Sequence, residues 1–370
     1  MKNTEHNQKF IVLSTILKPY NEVRIYERLG ISLSETNKYQ ITITGTEPDK
    51  KNVNTGNIIF RTIGLQNRSF YSRFQKIINT YKVWRKVKPH LIIITTPELL
   101  LPVAIYKLFH NTKLVYDVQE NYFMNIKYQR IYGGFKKLLI LSYLKVSEVL
   151  SKKITDHYLL AEECYKTELN LSKRRITVLE NKTRPGQYER GKTEKTTLLF
   201  TGVLSEYSGI KTAIKVFEEL HRQDPKLHLK IIGHAPSKSI QKYIHEKTRN
   251  SPNIEPIGVV NFQSHESIVT EILKADLGIV AQTVNEVSRN RIPTKLFEYS
   301  YFHLPYLASQ DAPWLKRSLT LGGAIPIDFN NPDAKSIHQL IRKVSFPESS
   351  SSAWKKESVL LNEAIDTLLK

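Results

Sequence analysis

Residues 290–309 read NRIPTKLFEYSYFHLPYLAS, and this stretch decides how the chain is expected to fold. It holds a basic turn, a helix start, a carboxylate one turn inside and a short apolar strand, the order in which an α/β protein grips a nucleotide diphosphate. Pro293 and Thr294 suit a first helical turn, where proline forfeits no hydrogen bond and unpaired amides point outward to an anion. Lys295, Arg291 and Arg289 add positive charge to the same approach, and Glu298 is placed to accept hydrogen bonds from hydroxyls such as those of a ribose. A second reading stands beside this one, because a glutamate in a first turn also complements the helix dipole with no ligand at all. The capping box that would favour it needs Ser or Thr three residues before Glu298, where the chain has Lys295.

Outward from this block the chain alternates strands and helices. Apolar runs at 10–17, 40–44, 91–95, 113–116, 157–161 and 176–179 predict strands, with helices near 22–35, 70–87, 98–109, 132–152 and 162–171 between them. Residues 181–196, NKTRPGQYERGKTEKT, break the rhythm with a proline, two glycines and dense charge, as an interdomain linker does. The alternation then restarts, with strands at 197–201, 227–232, 254–257, 277–281, 305–308 and 324–327 and helices near 209–222, 237–248, 264–274, 294–302 and 332–345. A serine tail at 349–352 precedes a last helix, 353–370. The expected class is α/β, with two Rossmann-like, doubly wound parallel-sheet domains facing across a cleft. Their extents are 1–182 and 196–348, with 349–370 as a C-terminal helix able to cross back to the first domain. A ligand is expected at the carboxyl ends of the strands.

Composition fits this division. A chain of 370 residues with 40% hydrophobic content supports two cores. The single cysteine, Cys164, rules out an intramolecular disulfide, fits a reducing compartment and reads as a small, partly buried hydrophobe. The opening, MKNTEHNQKFIVLSTIL, reads as a first strand rather than a signal peptide, and the longest apolar run elsewhere, 138–144, is far short of the roughly twenty residues a membrane span needs. A cytoplasmic protein is expected, either soluble or peripheral at the inner face of the cell membrane.

The net charge of +20 asks for an acidic partner. Between residues 126 and 153 seven basic residues (Lys127, Arg130, Lys136, Lys137, Lys145, Lys152, Lys153) stand against Glu148, interleaved with apolar positions. Such a basic amphipathic helix lies on an anionic membrane, or packs on a core with a solvated lysine face. Nucleic acid is not expected, because no recognition motif for it is present.

Several loops follow strand ends. Residues 201–209, TGVLSEYSG, carry two glycines into a helix start, where a phosphate can approach the backbone, although the same glycines make an ordinary turn. Gly233 and His234 form a similar loop after the next strand. In the first half, Asp117 and Glu120 offer carboxylates for sugar hydroxyls or proton transfer, with capping of a turn as the other reading of Asp117. Arg24 sits just inside the first helix, as a cleft residue or an exposed charge. No G-x-S-x-G elbow, Walker loop or D-x-D pair is present and the eleven histidines are scattered, so chemistry without a metal or cofactor is expected.

These blocks resemble the GT-B type glycosyltransferases, and within them the large retaining group called family 4 (glycosyl transferases group 1), here of the bacterial surface-polysaccharide type. The resemblance rests on NEVRI, VYDVQE, DHYLLAEECYKTEL, VLENK, LLFTGVLSEYSGIKTAI, LKIIGHA, ILKADLGIVA and IPTKLFEYSYFHLPYLAS, in that order, over nearly the whole chain. It implies transfer of a sugar from a nucleotide-diphosphate donor to a hydroxyl of a glycan or lipid-linked acceptor, with retained configuration. It also implies a first domain that binds acceptor through Arg24, Gln119 and Glu120, and a second that binds donor. The implied donor contacts are Gly202, Ser208, Gly209, Lys211, Gly233, Asn290, Arg291, Thr294, Lys295 and Glu298, with Asp117, Glu120 and Lys295 in the chemistry. The chain departs from the family at Asn290, where a second Glu is usual, and at Val203 and Ser208, where an Arg and a Lys hold the diphosphate. Gln119 replaces a His, and His303 replaces the Gly of a G-x-P turn. A nucleotide-sugar epimerase and a non-catalytic sugar-nucleotide-binding subunit are the competing readings.

Overall fold

The computed structural model describes residues 8–48, 56–67, 69–128, 133–171, 173–186, 188–191, 196–347 and 351–370. Arg130 of the basic stretch, residues 187 and 192–195 of the expected linker, and residues 348–350 at the serine tail lie outside them. The chain forms two compact units, one of Met1–Arg184 with Trp354–Lys370 and one of Pro185–Ala353.

The first unit is built on seven strands, β1 (Lys9–Pro19), β2 (Tyr39–Thr46), β3 (Ile58–Thr62), β4 (Leu91–Ile94), β5 (Lys113–Val118), β6 (His157–Leu160) and β7 (Ile176–Val178). They lie in the order β3-β2-β1-β4-β5-β6-β7 with every neighbouring pair parallel. A parallel sheet is covered on both faces, which is why its central strands read as unbroken apolar runs such as LIII in β4, buried along its whole length. A π-helical turn, Arg24–Gly30, runs into α1 (Ile31–Ser34), followed by α2 (Phe70–Val87), α3 (Leu100–Phe109), α4 (Tyr122–Tyr128), α5 (Gly134–Ile154) and α6 (Cys164–Glu168).

The second unit has six parallel strands, β8 (Thr197–Thr201), β9 (His228–Ile232), β10 (Ile254–Ile257), β11 (Leu277–Val280), β12 (Tyr306–Ser309) and β13 (Ala324–Ile327), in the order β10-β9-β8-β11-β12-β13. Its helices are α7 (Ile210–Gln223), α8 (Lys238–Asn250), α9 (His265–Lys274), α10 (Lys295–Tyr301), α11 (Leu315–Leu321) and α12 (Ala334–Ile341). One core packs around Phe200 and Phe217, and the other joins Leu296, Phe297 and Tyr299 of α10 to Tyr306 of β12. The linker expected at 181–196 is not free chain in its middle. The Arg190 guanidinium donates to the carbonyls of His303 and Ala275, which ties residues 188–191 to the second unit.

Three elements go beyond the sequence expectation. β3 is a short, partly exposed edge strand, and α4 and α11 have seven residues each, too few turns for a clear helical period.

The last helix, α13 (Lys355–Leu369), belongs to the first unit. The Trp354 amide donates to the Thr183 carbonyl at 2.7 Å and its indole to Ser32 Oγ at 2.9 Å, while Leu361 and Ile365 enter the core beside β1 and β2. Lys182 and Glu357 pair at 2.6 Å in the same seam. Trp354→Ala therefore removes a fully buried indole and leaves Ser32 unpaired. It should lower the unfolding free energy, read by urea titration, by about 3–5 kcal/mol.

Candidate functional site

The carboxyl ends of the second sheet are drawn together by glycine. The chain leaves β8 through Gly202 (φ +100°) and enters α7 through Gly209 (φ +83°). A Cβ on Gly209 would lie 1.7 Å from the Ala281 carbonyl oxygen, and one on Gly233 the same distance from that of Gly202. No side chain fits at either place, so the loops after β8, β9 and β11 touch backbone to backbone. The Leu204 amide donates to the His234 carbonyl at 2.8 Å and the Thr283 amide to the Tyr207 carbonyl at 3.0 Å.

Within this loop Ser208 is part of the turn itself. Its hydroxyl donates to the Ser205 carbonyl at 2.9 Å and accepts from the Ser205 amide at 3.0 Å. Lys211 is exposed, pairs with Glu206 and leans over the Tyr243 ring. The family's Arg and Lys positions hold an exposed Val203 and this turn-forming Ser208.

Helix α10 is anchored by burial of Leu296, Phe297 and Tyr299, with the Tyr299 hydroxyl 3.0 Å from Thr201 Oγ1 at the end of β8. That anchor fixes Lys295, whose Nζ lies 3.9 Å above the Phe200 ring centroid. The ammonium is shut from water and, among the described residues, finds no hydrogen-bond partner. Burial lowers its pKa from the usual lysine range to about 7, and the Glu298 carboxylate works against that fall. Glu298 in turn meets His265 at the start of α9, Oε1 to Nε2 at 3.0 Å.

Arg291 is buried, whereas Asn290, Thr294 and Arg289 are exposed on a segment knotted by Asn285 and Ser288. His234 stacks on Phe262 at 4.2 Å. Sequence reasoning missed His265 and Phe200, because 33 residues separate His265 from Glu298 and neither stands in a recognisable motif.

In the first unit, Asp117 and Arg24 do not stand as separate ligands. Arg24 donates from Nε to both Asp117 oxygens at 3.0 Å and from Nη2 to Oδ1 at 2.6 Å, and its Nη1 reaches the Leu179 carbonyl and Asn181 Oδ1. Asp117 is 0% and Arg24 2% exposed. Most of the hydrogen-bonding capacity of each group is taken up by the other, and the pair also positions its neighbours. Gln119 Nε2 donates to Asp117 Oδ2 at 2.8 Å, and Lys18 Nζ donates to Gln119 Oε1 at 2.7 Å and to Glu22 at 2.8 Å.

Burial opposes ionisation of Glu22, but the Lys18 ammonium and the Ile25 amide hold its carboxyl below the ordinary value. Glu120 is exposed and accepts from Asn125 at 2.9 Å. Among the described residues no cluster of His, Cys, Asp and Glu is arranged to hold a metal ion. Asp117→Asn would leave the Arg24 charge buried and uncompensated, so it should lower stability by about 3–5 kcal/mol in a denaturant titration.

The whole chain superposes on solved structures. A sucrose-phosphate synthase from Thermosynechococcus elongatus matches with a TM-score of 0.63 at 12% identity, over 98% of this chain and 96% of that one. Anabaena HepE in complex with UDP and glucose matches at 0.61 and 11%, over 98% and 99%. A Listeria monocytogenes protein assigned as a UDP-N-acetylglucosamine 2-epimerase matches at 0.58 and 12%, over 98% and 96%. Residues 187–358 match the family model of the glycosyl transferases group 1. Residues 187–358 thus carry a group 1 glycosyl transferase domain, and the chain has the GT-B fold. A comparison with curated proteins finds no match. The group 1 match takes in the β8 loop, α9 and α10, which carry the glycine contacts, His265, Lys295 and Glu298.

Proposed function

We propose that this glycosyltransferase is a retaining, family 4-like enzyme that moves a sugar from a nucleotide-diphosphate donor to a hydroxyl of a glycan or lipid-linked acceptor, in surface polysaccharide or glycolipid synthesis. The observation that carries the reading is the first turn of α10, where Glu298 and a buried, unbonded Lys295 ammonium stand at the end of β8. Glu298 accepts the ribose hydroxyls of the donor, and His265 holds its carboxylate in place. The complex of HepE with UDP-glucose supports a donor of this class.

On this reading the bond from the sugar's anomeric carbon to the diphosphate breaks while the acceptor oxygen attacks from the same face. The acceptor's proton passes to the departing phosphate oxygen, so atoms and charge balance without a covalent enzyme intermediate. The negative charge that builds on the diphosphate is met by Lys295, by Arg291 and by the α7 N-terminus, without a metal ion. Gln119, held by Asp117 and Lys18, and the exposed Glu120 serve the acceptor side. An epimerase is the second reading, supported by the Listeria relative, and product analysis separates the two. A transferase needs an acceptor to consume its donor, whereas an epimerase releases altered sugar without one.

Glu298→Ala should weaken nucleotide binding in calorimetry at least tenfold, since a charge-assisted hydrogen bond contributes about 1.5–3 kcal/mol. Unchanged affinity would remove Glu298 from the donor site. Lys295→Met should abolish turnover and yet raise stability, because it deletes a buried charge that has no hydrogen bond. The folded pKa of Lys295, about 7, lies below its unfolded value, so the penalty is full below that pH and fades as pH rises towards the usual lysine range. The stability gain of Lys295→Met should therefore be largest in acid and vanish near pH 10, as followed by melting temperature across pH.

A further inference from the structure

Helices α2, α3 and α5 of the first unit lie side by side on one face of its sheet, with α3 in contact with both others. Two of them are amphipathic in the reverse sense to an ordinary surface helix. Helix α2 buries Lys76, Thr80 and Trp84 against the sheet and turns Phe70, Tyr71, Phe74 and Ile78 outward, with Phe70 88% exposed. Positions 70, 74 and 78 are one helical stripe. Helix α5 buries Leu144, Ser147 and Ser151 while Phe135, Leu139, Val146 and Val149 face out along its other side. Helix α3, apolar all round, buries Val103 and Tyr106 and exposes Leu101, Ile105, Leu108 and Phe109, with Leu108 78% exposed. A monomeric water-soluble unit rarely shows so continuous an apolar surface.

The same face is basic. Besides the buried Lys76, helix α2 carries four Lys and Arg, α3 one and α5 five; the one acid on these helices is Glu148, and Glu98 just before α3 pairs with Arg73 at 3.4 Å. Glu148 is itself neutralised by Lys145 at 3.0 Å and Lys152 at 2.7 Å. We propose that this three-helix face docks on an anionic lipid bilayer, with its aromatic and aliphatic stripes entering the headgroup boundary and its lysines meeting lipid phosphates. No helix among the described residues is long and apolar enough to cross a membrane, so the contact is with the surface. A second copy of the chain would bring like charges together across the contact. A nucleic acid would satisfy the lysines and leave the apolar stripes in water. The inference stands independently of the reaction assigned above.

The test is flotation of the full chain with vesicles of phosphatidylcholine alone and with about one third phosphatidylglycerol. The chain should float with the anionic vesicles and not with the neutral ones. The pairs Phe70→Ser with Phe74→Ser, Leu108→Ser with Phe109→Ser, and Phe135→Ser with Leu139→Ser should each lower the bound fraction at least about fivefold. Each variant should keep the parent's circular dichroism spectrum and cooperative thermal unfolding, which shows it folded. Flotation that is absent, equal on both vesicles or sensitive to the α5 pair alone overturns the proposal. So does a dimer in sedimentation velocity that the same changes dissolve, or oligonucleotide binding that they abolish.

Discussion

An ammonium buried over an aromatic ring, with no acceptor to bond it among the described residues, is the constraint around which the second unit is arranged. The backbone at Lys295 is fixed, because the next two residues, Leu296 and Phe297, are locked in the core and Tyr299 is tied to Thr201, so only the lysine side chain turns to meet an arriving anion. The ring of Phe200 compensates part of the lost hydration through its negative face, and the Glu298 carboxylate favours the charged form, yet burial still lowers the pKa of the lysine to about 7. A group held this way is preorganised for an anion. The loops after β8, β9 and β11 are held by close backbone approach at Gly209 and Gly233, where no side chain fits.

The first unit solves a different problem with a similar device. Asp117 and Arg24 are fully buried at the strand ends, and their mutual pairing satisfies both. The outer edge of that network, Gln119 and Lys18, is where polar groups reach the surface with fixed orientation. Buried charge thus lies paired in one unit and over an aromatic ring in the other.

Much of this was legible in the sequence, and the rest had physical reasons to be hidden. Parallel strands such as β4 declare themselves as apolar runs, and the glycines around β8 and β9 mark turns, because both are local properties. His303, at the place of the family's glycine, holds φ +52°, so the sequence comparison located a turn whose left-handed geometry the structure shows. Side-chain pairing is not local. Arg24 and Asp117 are 93 residues apart, and a carboxylate after a strand looks the same whether it awaits a substrate or an arginine. The partners of Glu298 and Lys295, His265 and Phe200, lie on other elements and carry no motif. The outward stripes of α2 were also invisible, since periodicity reveals that a helix has an apolar side but not which side meets the sheet.

The central claim is that the Lys295 ammonium receives the donor's diphosphate, and proton linkage tests it most directly. At about pH 8 the free lysine, with a pKa of about 7, is mostly neutral, and an arriving diphosphate must recharge it. Calorimetric titration of UDP in buffers of different ionisation enthalpy at that pH should show uptake of nearly one proton per nucleotide, and Lys295→Met should show none. Binding of UDP without proton uptake, or with the same uptake in Lys295→Met, would contradict the account.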